Sequence, residues 1–194
     1  MTSVLTERGT LGDAEDAVRT LLAYLGEDPG RDGLVRTPAR VVRALTEMTA
    51  GYEQDPALIL DTTFDVAYDE MIALGPYPFQ SLCEHHLLPF GGTVVVGYVP
   101  VARVVGLSKL GRLVDCFARR LQVQERMTNQ IAEALWSGLE PKGVGVMVRG
   151  VHQCMTHRGV GKAAPMHTVA LRGVMLERPE ARAEFLALAH APPS

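Results

Sequence analysis

The stretch Cys83-Glu84-His85-His86 constrains this chain more than any other. Four residues with metal-binding or proton-transfer chemistry stand together, with apolar Leu82 before them and Leu87-Leu88 behind. Cys83 and His86 have C-x2-H spacing, which lets one tight turn present a sulfur and an imidazole to a single Zn²⁺. Two ligands do not hold a zinc, so another segment has to supply the rest. The best partner is His152-Gln153-Cys154, at the end of a run that reads as a strand. Alternate residues of a strand share a face, so His152 and Cys154 are expected to enter one cavity together. Cys83, His86 and Cys154 would then form a Cys2His set with a fourth position open to water, the pattern of a catalytic zinc. His85 and His152 are left beside the metal to carry protons. Spacing alone leaves the plain alternatives open, a metal-free surface turn and a cysteine buried as a small hydrophobe. Cys116 stands among Leu113, Val114 and Phe117 at helical spacing and reads as core.

Composition narrows the setting. The length of 194 residues suits one domain with a real core. The chain is 47% hydrophobic and 21% charged, as in ordinary globular proteins. A net charge of −3 gives no global field toward nucleic acid or a membrane surface. Three cysteines make an odd count and no disulfide framework, which suits a reducing cytoplasm. Residues 1–10 lack the apolar centre of a signal peptide, and no apolar run is long enough to span a bilayer.

Periodicity predicts the order of elements. Residues 1–12 are expected to be poorly ordered, followed by a single domain over 13–190 whose part 13–52 is helical. Helices are expected over 13–25 and from Thr37-Pro38 to Gly51. Arg36, Arg40 and Arg43 on the second read most simply as a solvated face. Strands follow over 71–74, 77–82 and 93–99, rich in β-branched and aromatic residues. Two helices over 109–120 and 122–139 precede strands over 144–151, delivering His152 and Cys154, and 168–175; a last helix covers 179–189. This is an α+β pattern, an antiparallel sheet with two helices packed on one face, plus N-terminal helices.

Arg103, Lys109, Arg112, Arg119, Arg120 and Arg126 form a local basic excess in an acidic protein, and Arg158 lies four residues beyond Cys154. Such a group is either a helix surface or a polyanion pocket in which Arg makes bidentate phosphate contacts. No G-x-x-x-x-G-K-[ST] loop is present, so side chains would hold the phosphates.

Five segments together resemble the GTP cyclohydrolase I family. They are Thr37-Pro38 with Arg40; Cys83 to His86; Gly106-Leu107-Ser108-Lys109-Leu110 with Arg112; Gln122-Val123-Gln124-Glu125-Arg126; and Val151 to Cys154 with Arg158-Gly159. Their order fits the family over about 11–188, and Arg119-Arg120-Leu121 is similar to its animal-type members. The resemblance implies the tunnelling fold, assembled edge to edge as a homodecamer with active sites at subunit interfaces. It implies zinc-dependent conversion of GTP and water to 7,8-dihydroneopterin triphosphate and formate, the first step of tetrahydrofolate and pterin synthesis. In that scheme His85 and His152 transfer protons and Ser108 serves the opening of the ribose. Lys109, Arg112 and Arg158 take the triphosphate, with Arg40 reaching in from a neighbour. Gln124 and Glu125 hold the guanine edge.

One segment departs from the family. Residues 165–173, Pro-Met-His-Thr-Val-Ala-Leu-Arg-Gly, nearly lack the Thr and Ser run usual in the last strand. That departure leaves room for a paralogue acting on GTP in a specialised deazapurine or pterin pathway; the other alternative is a non-catalytic zinc-stabilised scaffold, against which the surplus of His85 and His152 argues.

Overall fold

The computed structural model describes residues 9–191. Two compact units make up the chain, divided after Met48. The first holds α1 (Leu11–Tyr24) and α2 (Thr37–Met48), packed on each other. Helix α1 begins two residues earlier than the periodicity predicts, because Thr10 and Asp13 form a reciprocal capping box. Thr10, Leu11 and Gly12 therefore belong to the helix start, and residues 1–8 of the expected disordered segment lie outside the described residues. The helical part expected over 13–52 ends at Met48 as a unit of its own.

The second unit opens with a 3-10 turn at Ala50–Glu53 and the short α3 (Pro56–Leu60), capped by the Asp55 carboxylate. The elements that follow are β1 (Thr63–Asp65), β2 (Ile72–Cys83), β3 (Pro89–Val99), β4 (Arg103–Val105), α4 (Leu107–Ala118), β5 (Leu121–Gln122) and α5 (Gln124–Leu139). After them come β6 (Gly143–His152), α6 (Gln153–Thr156), β7 (Met166–Gly173), α7 (Val174–Glu177) and α8 (Pro179–His190). The main sheet has the order β5-β2-β3-β6-β7, and β1 pairs separately with β4. Its four long strands are antiparallel; only the two-residue β5 joins β2 in parallel. This is the expected α+β architecture.

Two of the differences from expectation change how elements are built. The strands predicted over 71–74 and 77–82 are one strand, β2, whose register shifts between Leu74 and Tyr77 around Gly75-Pro76. The predicted last strand ends at Gly173, and Val174–Glu177 curl into α7. Gly173 has φ +54, and a Cβ there would lie 2.2 Å from the Lys142 carbonyl, so this exit needs glycine.

The sheet's two faces are covered differently. Phe79, Phe90, Val94, Val96, Val144, Val146 and Val148 face α4 and α5, which contribute Leu110, Leu113, Val114, Phe117, Met127, Ile131 and Leu135. These helix positions recur every three or four residues, so each helix buries one continuous stripe. On the other face Val95 and Met147 pack with Phe185 and Ala189 of α8. Gly97 and Gly145 are paired across β3 and β6. A Cβ at either would approach the Phe185 ring to within 3 Å, so together they leave the hollow that the ring fills.

Candidate active site

At the end of β2 the backbone turns through Glu84–Leu87 and returns as β3. The Cys83 amide donates to the Leu88 carbonyl (2.9 Å), and the Cys83 carbonyl accepts from His86 N (3.3 Å) and Leu87 N (2.8 Å). Leu87 closes the turn at φ +54. This curl sets the Cys83 sulfur 3.7 Å from His86 Nδ1.

The second half arrives on β6, with a correction to the sequence reading. β6 ends at His152, opposite Phe90, next to the first residue of β3, and Cys154 lies in the single helical turn α6. His152 and Cys154 are thus not alternate residues of one strand. Past His152 the chain has no strand to pair with, so it curls, and His157 N donates to the Gln153 carbonyl at 3.0 Å. The curl still delivers Cys154: the donor atoms of Cys83, His86 and Cys154 lie within 4.8 Å of one another.

These three donors suit a divalent, borderline-soft metal ion. Two sulfurs and an imidazole form a Cys2His set, with Cys83 buried, Cys154 half-buried and His86 exposed. Burial, and then the neighbouring Cys83 thiol, push the Cys154 thiol up, while Arg158 acts in the opposite sense. A cation among the three would favour both thiolates.

Further polar groups gather here. The His152 ring stacks on Phe90, with centroids 4.4 Å apart and planes 6° from parallel. Its Nε2 lies 3.0 Å from Gln124 Oε1. Burial holds His152 below the usual imidazole value, and the Glu125 carboxylate opposes that shift. Glu125 is exposed in the first turn of α5. His85 is exposed, with Nε2 3.8 Å from a Glu84 oxygen; the other Glu84 oxygen is held by Arg126. That guanidinium keeps the Glu84 carboxyl below the usual carboxylate range.

Gln124 behaves differently from expectation. Its side chain is fully buried, and its amide nitrogen donates to the carbonyls of Val148 (3.2 Å) and Met166 (3.0 Å) and to Thr168 Oγ1 (3.2 Å). The amide expected at a guanine edge is occupied by protein groups on both sides.

Ser108, Lys109 and Arg112 belong to α4, a different element from those that carry the metal donors. The Tyr77 hydroxyl donates to the Leu107 carbonyl (3.0 Å), which ties the start of α4 to Tyr77 on β2. Tyr77 precedes Cys83 by six residues in β2, about 20 Å of strand. The start of α4, with Ser108 and Lys109, is therefore anchored at the middle of β2, back from the Cys83 end. Lys109 and Arg112 line a cleft of about 420 Å³ with Gln54, Asp55, Leu58, Ile59 and Asp115. Arg40 is exposed on α2 of the first unit. Others of the basic group have local duties. Arg119 faces Asp115 at 3.8 Å, Arg120 donates to the Cys116 carbonyl at 2.6 Å, and Arg126 holds Glu84. Cys116 is fully buried, as its helical position predicts.

Three contributors escaped the sequence reading: Phe90, Thr128 and Thr168. Phe90 meets His152 only through the β3–β6 register. Thr128 and Thr168 share a 2.6 Å hydroxyl contact and brace Gln124. Nothing local in the sequence marks these partners.

No helix among the described residues is long and apolar enough to cross a membrane. The family model for GTP cyclohydrolase I matches residues 14–190. The GTP cyclohydrolase 1 of Campylobacter curvus (strain 525.92) is 48% identical over 180 residues, covering 92% of this chain and 95% of that protein. Its counterpart in Synechococcus sp. (strain JA-2-3B'a(2-13)) is 52% identical over 178 residues, 91% of this chain and 78% of that one. The protein of the same name from Thermobifida fusca (strain YX) is 52% identical over 177 residues, 90% and 86% of the two chains. With the Cys83, His86 and Cys154 donors converging beside His152 and the match running through nearly the whole sequence, this chain belongs to the GTP cyclohydrolase I family.

Proposed function

We propose that this enzyme converts GTP and water to 7,8-dihydroneopterin triphosphate and formate, the first step of tetrahydrofolate and pterin synthesis. The observation that carries the reading is the donor cluster of Cys83, His86 and Cys154 with His152 beside it, in a chain of this family. Zinc suits the two sulfurs and one imidazole, and when bound it supplies Lewis-acid activation of water near neutral pH.

The chain's own residues do the rest. His152, held flat against Phe90, transfers a proton at the imidazole ring of the guanine as the C8 carbon is released. His85, exposed in the turn between β2 and β3, is the second proton carrier. Glu125 accepts the adjacent N–H donors of guanine N1 and N2, with Gln124 behind it beneath His152 rather than on the base. Arg158, whose charge already acts on Cys154, takes part of the triphosphate. Ser108 serves the ribose, and Lys109 and Arg112 bind the remaining phosphates.

The distance along β2 supports a site completed by neighbouring copies. Ser108, Lys109 and Arg112 of one chain would meet the metal end of another, with Arg40 reaching in from a neighbour, in a cytoplasmic homodecamer. Edge-to-edge closure of the sheet would also cover the open side of β7.

One feature favours a second reading. In β7 the single hydroxyl among Met166–Gly173 is Thr168, and it is bonded within the chain. A paralogue that uses GTP in a deazapurine or other pterin pathway would fit that strand. The test is to incubate the zinc-loaded protein with GTP and measure formate, pterin absorbance and product mass. Equimolar formate and dihydroneopterin triphosphate are expected. Turnover to a product of another mass would favour the paralogue, and no turnover would leave a zinc-stabilised scaffold.

A further inference from the structure

The Gln124 amide has a definite orientation. Its nitrogen end faces two backbone carbonyls, Val148 at 3.2 Å and Met166 at 3.0 Å, and Thr168 Oγ1 at 3.2 Å. Turning the amide over would point its oxygen at two carbonyl oxygens, acceptor against acceptor. The oxygen end is therefore the end that meets His152 Nε2 at 3.0 Å. Carbonyl oxygens only accept, so Nε2 must be the donor.

Three further features hold this arrangement. Phe90 stacks against the His152 ring at 4.4 Å and 6°, which fixes the ring plane. Thr168 Oγ1, which accepts from the Gln124 amide, touches Thr128 Oγ1, and Thr128 in turn donates to the Gln124 backbone carbonyl (2.7 Å), so the brace returns to α5. Gly150 makes the space: a Cβ there would stand 2.5 Å from Gln124 Oε1.

We infer that Gln124 is a positioning residue that holds His152 as the Nε2–H tautomer and leaves Nδ1 as the nitrogen that meets the substrate. The inference rests on the reading of His152 as a proton carrier and assigns the atom that does it. The proton handed to or taken from the guanine ring travels on Nδ1; the Nε2 proton stays on the ring, hydrogen-bonded to Gln124 Oε1. A metal-binding or catalytic imidazole is commonly oriented by such a bond from its other nitrogen.

The test is two-bond ¹H–¹⁵N correlation on ¹⁵N-histidine-labelled, zinc-loaded protein, at a pH where the imidazoles are neutral. There are six histidines, and the His152 signals are those lost in His152→Gln. Wild type should show a protonated, pyrrole-type Nε2 and a pyridine-type Nδ1 for His152. A pyrrole-type Nδ1, or tautomer averaging, would overturn the inference without any variant being needed. Gly150→Ala and Gln124→Met should each release the ring into a tautomer mixture. Each should lower kcat on the order of 10- to 100-fold while zinc content holds and KM for GTP moves less than about 3-fold. A folded Gln124→Met protein with an unchanged His152 signature, or with unchanged kcat, would refute the assignment to Gln124. A locked tautomer in a wild type that does not turn over GTP would spare the lock and sink the proposed reaction.

Discussion

The Cys83 end of β2 and the middle of that strand, at Tyr77, present the two halves of the candidate site in very different condition. At the Cys83 end the polar groups are mutually arranged: a turn closed by backbone hydrogen bonds, three donor atoms within 4.8 Å, and a histidine clamped between Phe90 and Gln124. Beside Tyr77, Ser108 and Arg112 are exposed and Lys109 half-buried on α4, and Lys109 and Arg112 line an open cleft. The lesson is chemical. Metal binding and proton transfer depend on sub-ångström placement, which a single chain can build. Anchoring a triphosphate asks mainly for charge at the right spot, which a neighbouring chain can bring.

Perturbations should sort by which half they touch. The largest effect belongs to the metal donors. Cys154→Ala should lose zinc and turnover together, while His85→Ala should keep zinc and lose turnover; metal analysis of both purified variants separates them. Full zinc in the Cys154 variant would remove Cys154 from the ligand set.

Glu125→Ala comes next. Adenine lacks the paired donors that a carboxylate accepts, so ATP would leave Glu125 desolvated and unmatched. Sites built on such bonds reject the wrong analogue by about 10⁴-fold. Wild type should turn over GTP and not ATP, and Glu125→Ala should lose most GTP turnover with zinc retained. Comparing kcat/KM for both nucleotides decides it, and near-normal GTP turnover by the variant would return Glu125 to the surface.

Smaller losses are expected for the phosphate contacts. Arg112→Ala and Arg158→Ala each remove one charge-assisted bond, roughly 1.5–3 kcal/mol, so KM for GTP should rise about 10- to 150-fold. Tight binding of guanosine, which has no phosphates, would show that the basic group is only surface.

The smallest effect on turnover should come from the far face. Phe185→Ala empties the hollow between Gly97 and Gly145 and should cost about 3–5 kcal/mol in stability. Its kcat and KM below the melting transition should match wild type. A loss of zinc or kcat there would mean that α8 helps to shape the site.

How far the sequence reaches depends on distance along the chain. Cys83 and His86 were legible because one turn contains both. The stripes of α4 and α5 were legible because helical contacts recur every three or four residues. Cys154 was found by its chemistry, but its helical turn was not, because where β6 loses its strand partners depends on where β3 begins. Only the family resemblance put Gln124 at the guanine edge, and a resemblance does not show where a side chain is buried. Its burial follows from carbonyls of Val148 and Met166, 24 and 42 residues away in sequence. The wide separation of Ser108 from Cys83 was hidden for the same reason, since only the fold shows that α4 starts beside Tyr77.

The division of the site between copies is tested most directly by complementation. His152→Ala and the double variant Ser108→Ala/Arg112→Ala, each inactive alone, would be coexpressed and purified as mixed assemblies. If every site draws one half from each of two copies, random mixing at equal amounts should restore about a quarter of wild-type turnover of GTP. Turnover no greater than that of the two parent proteins would contradict it and place both halves in one chain.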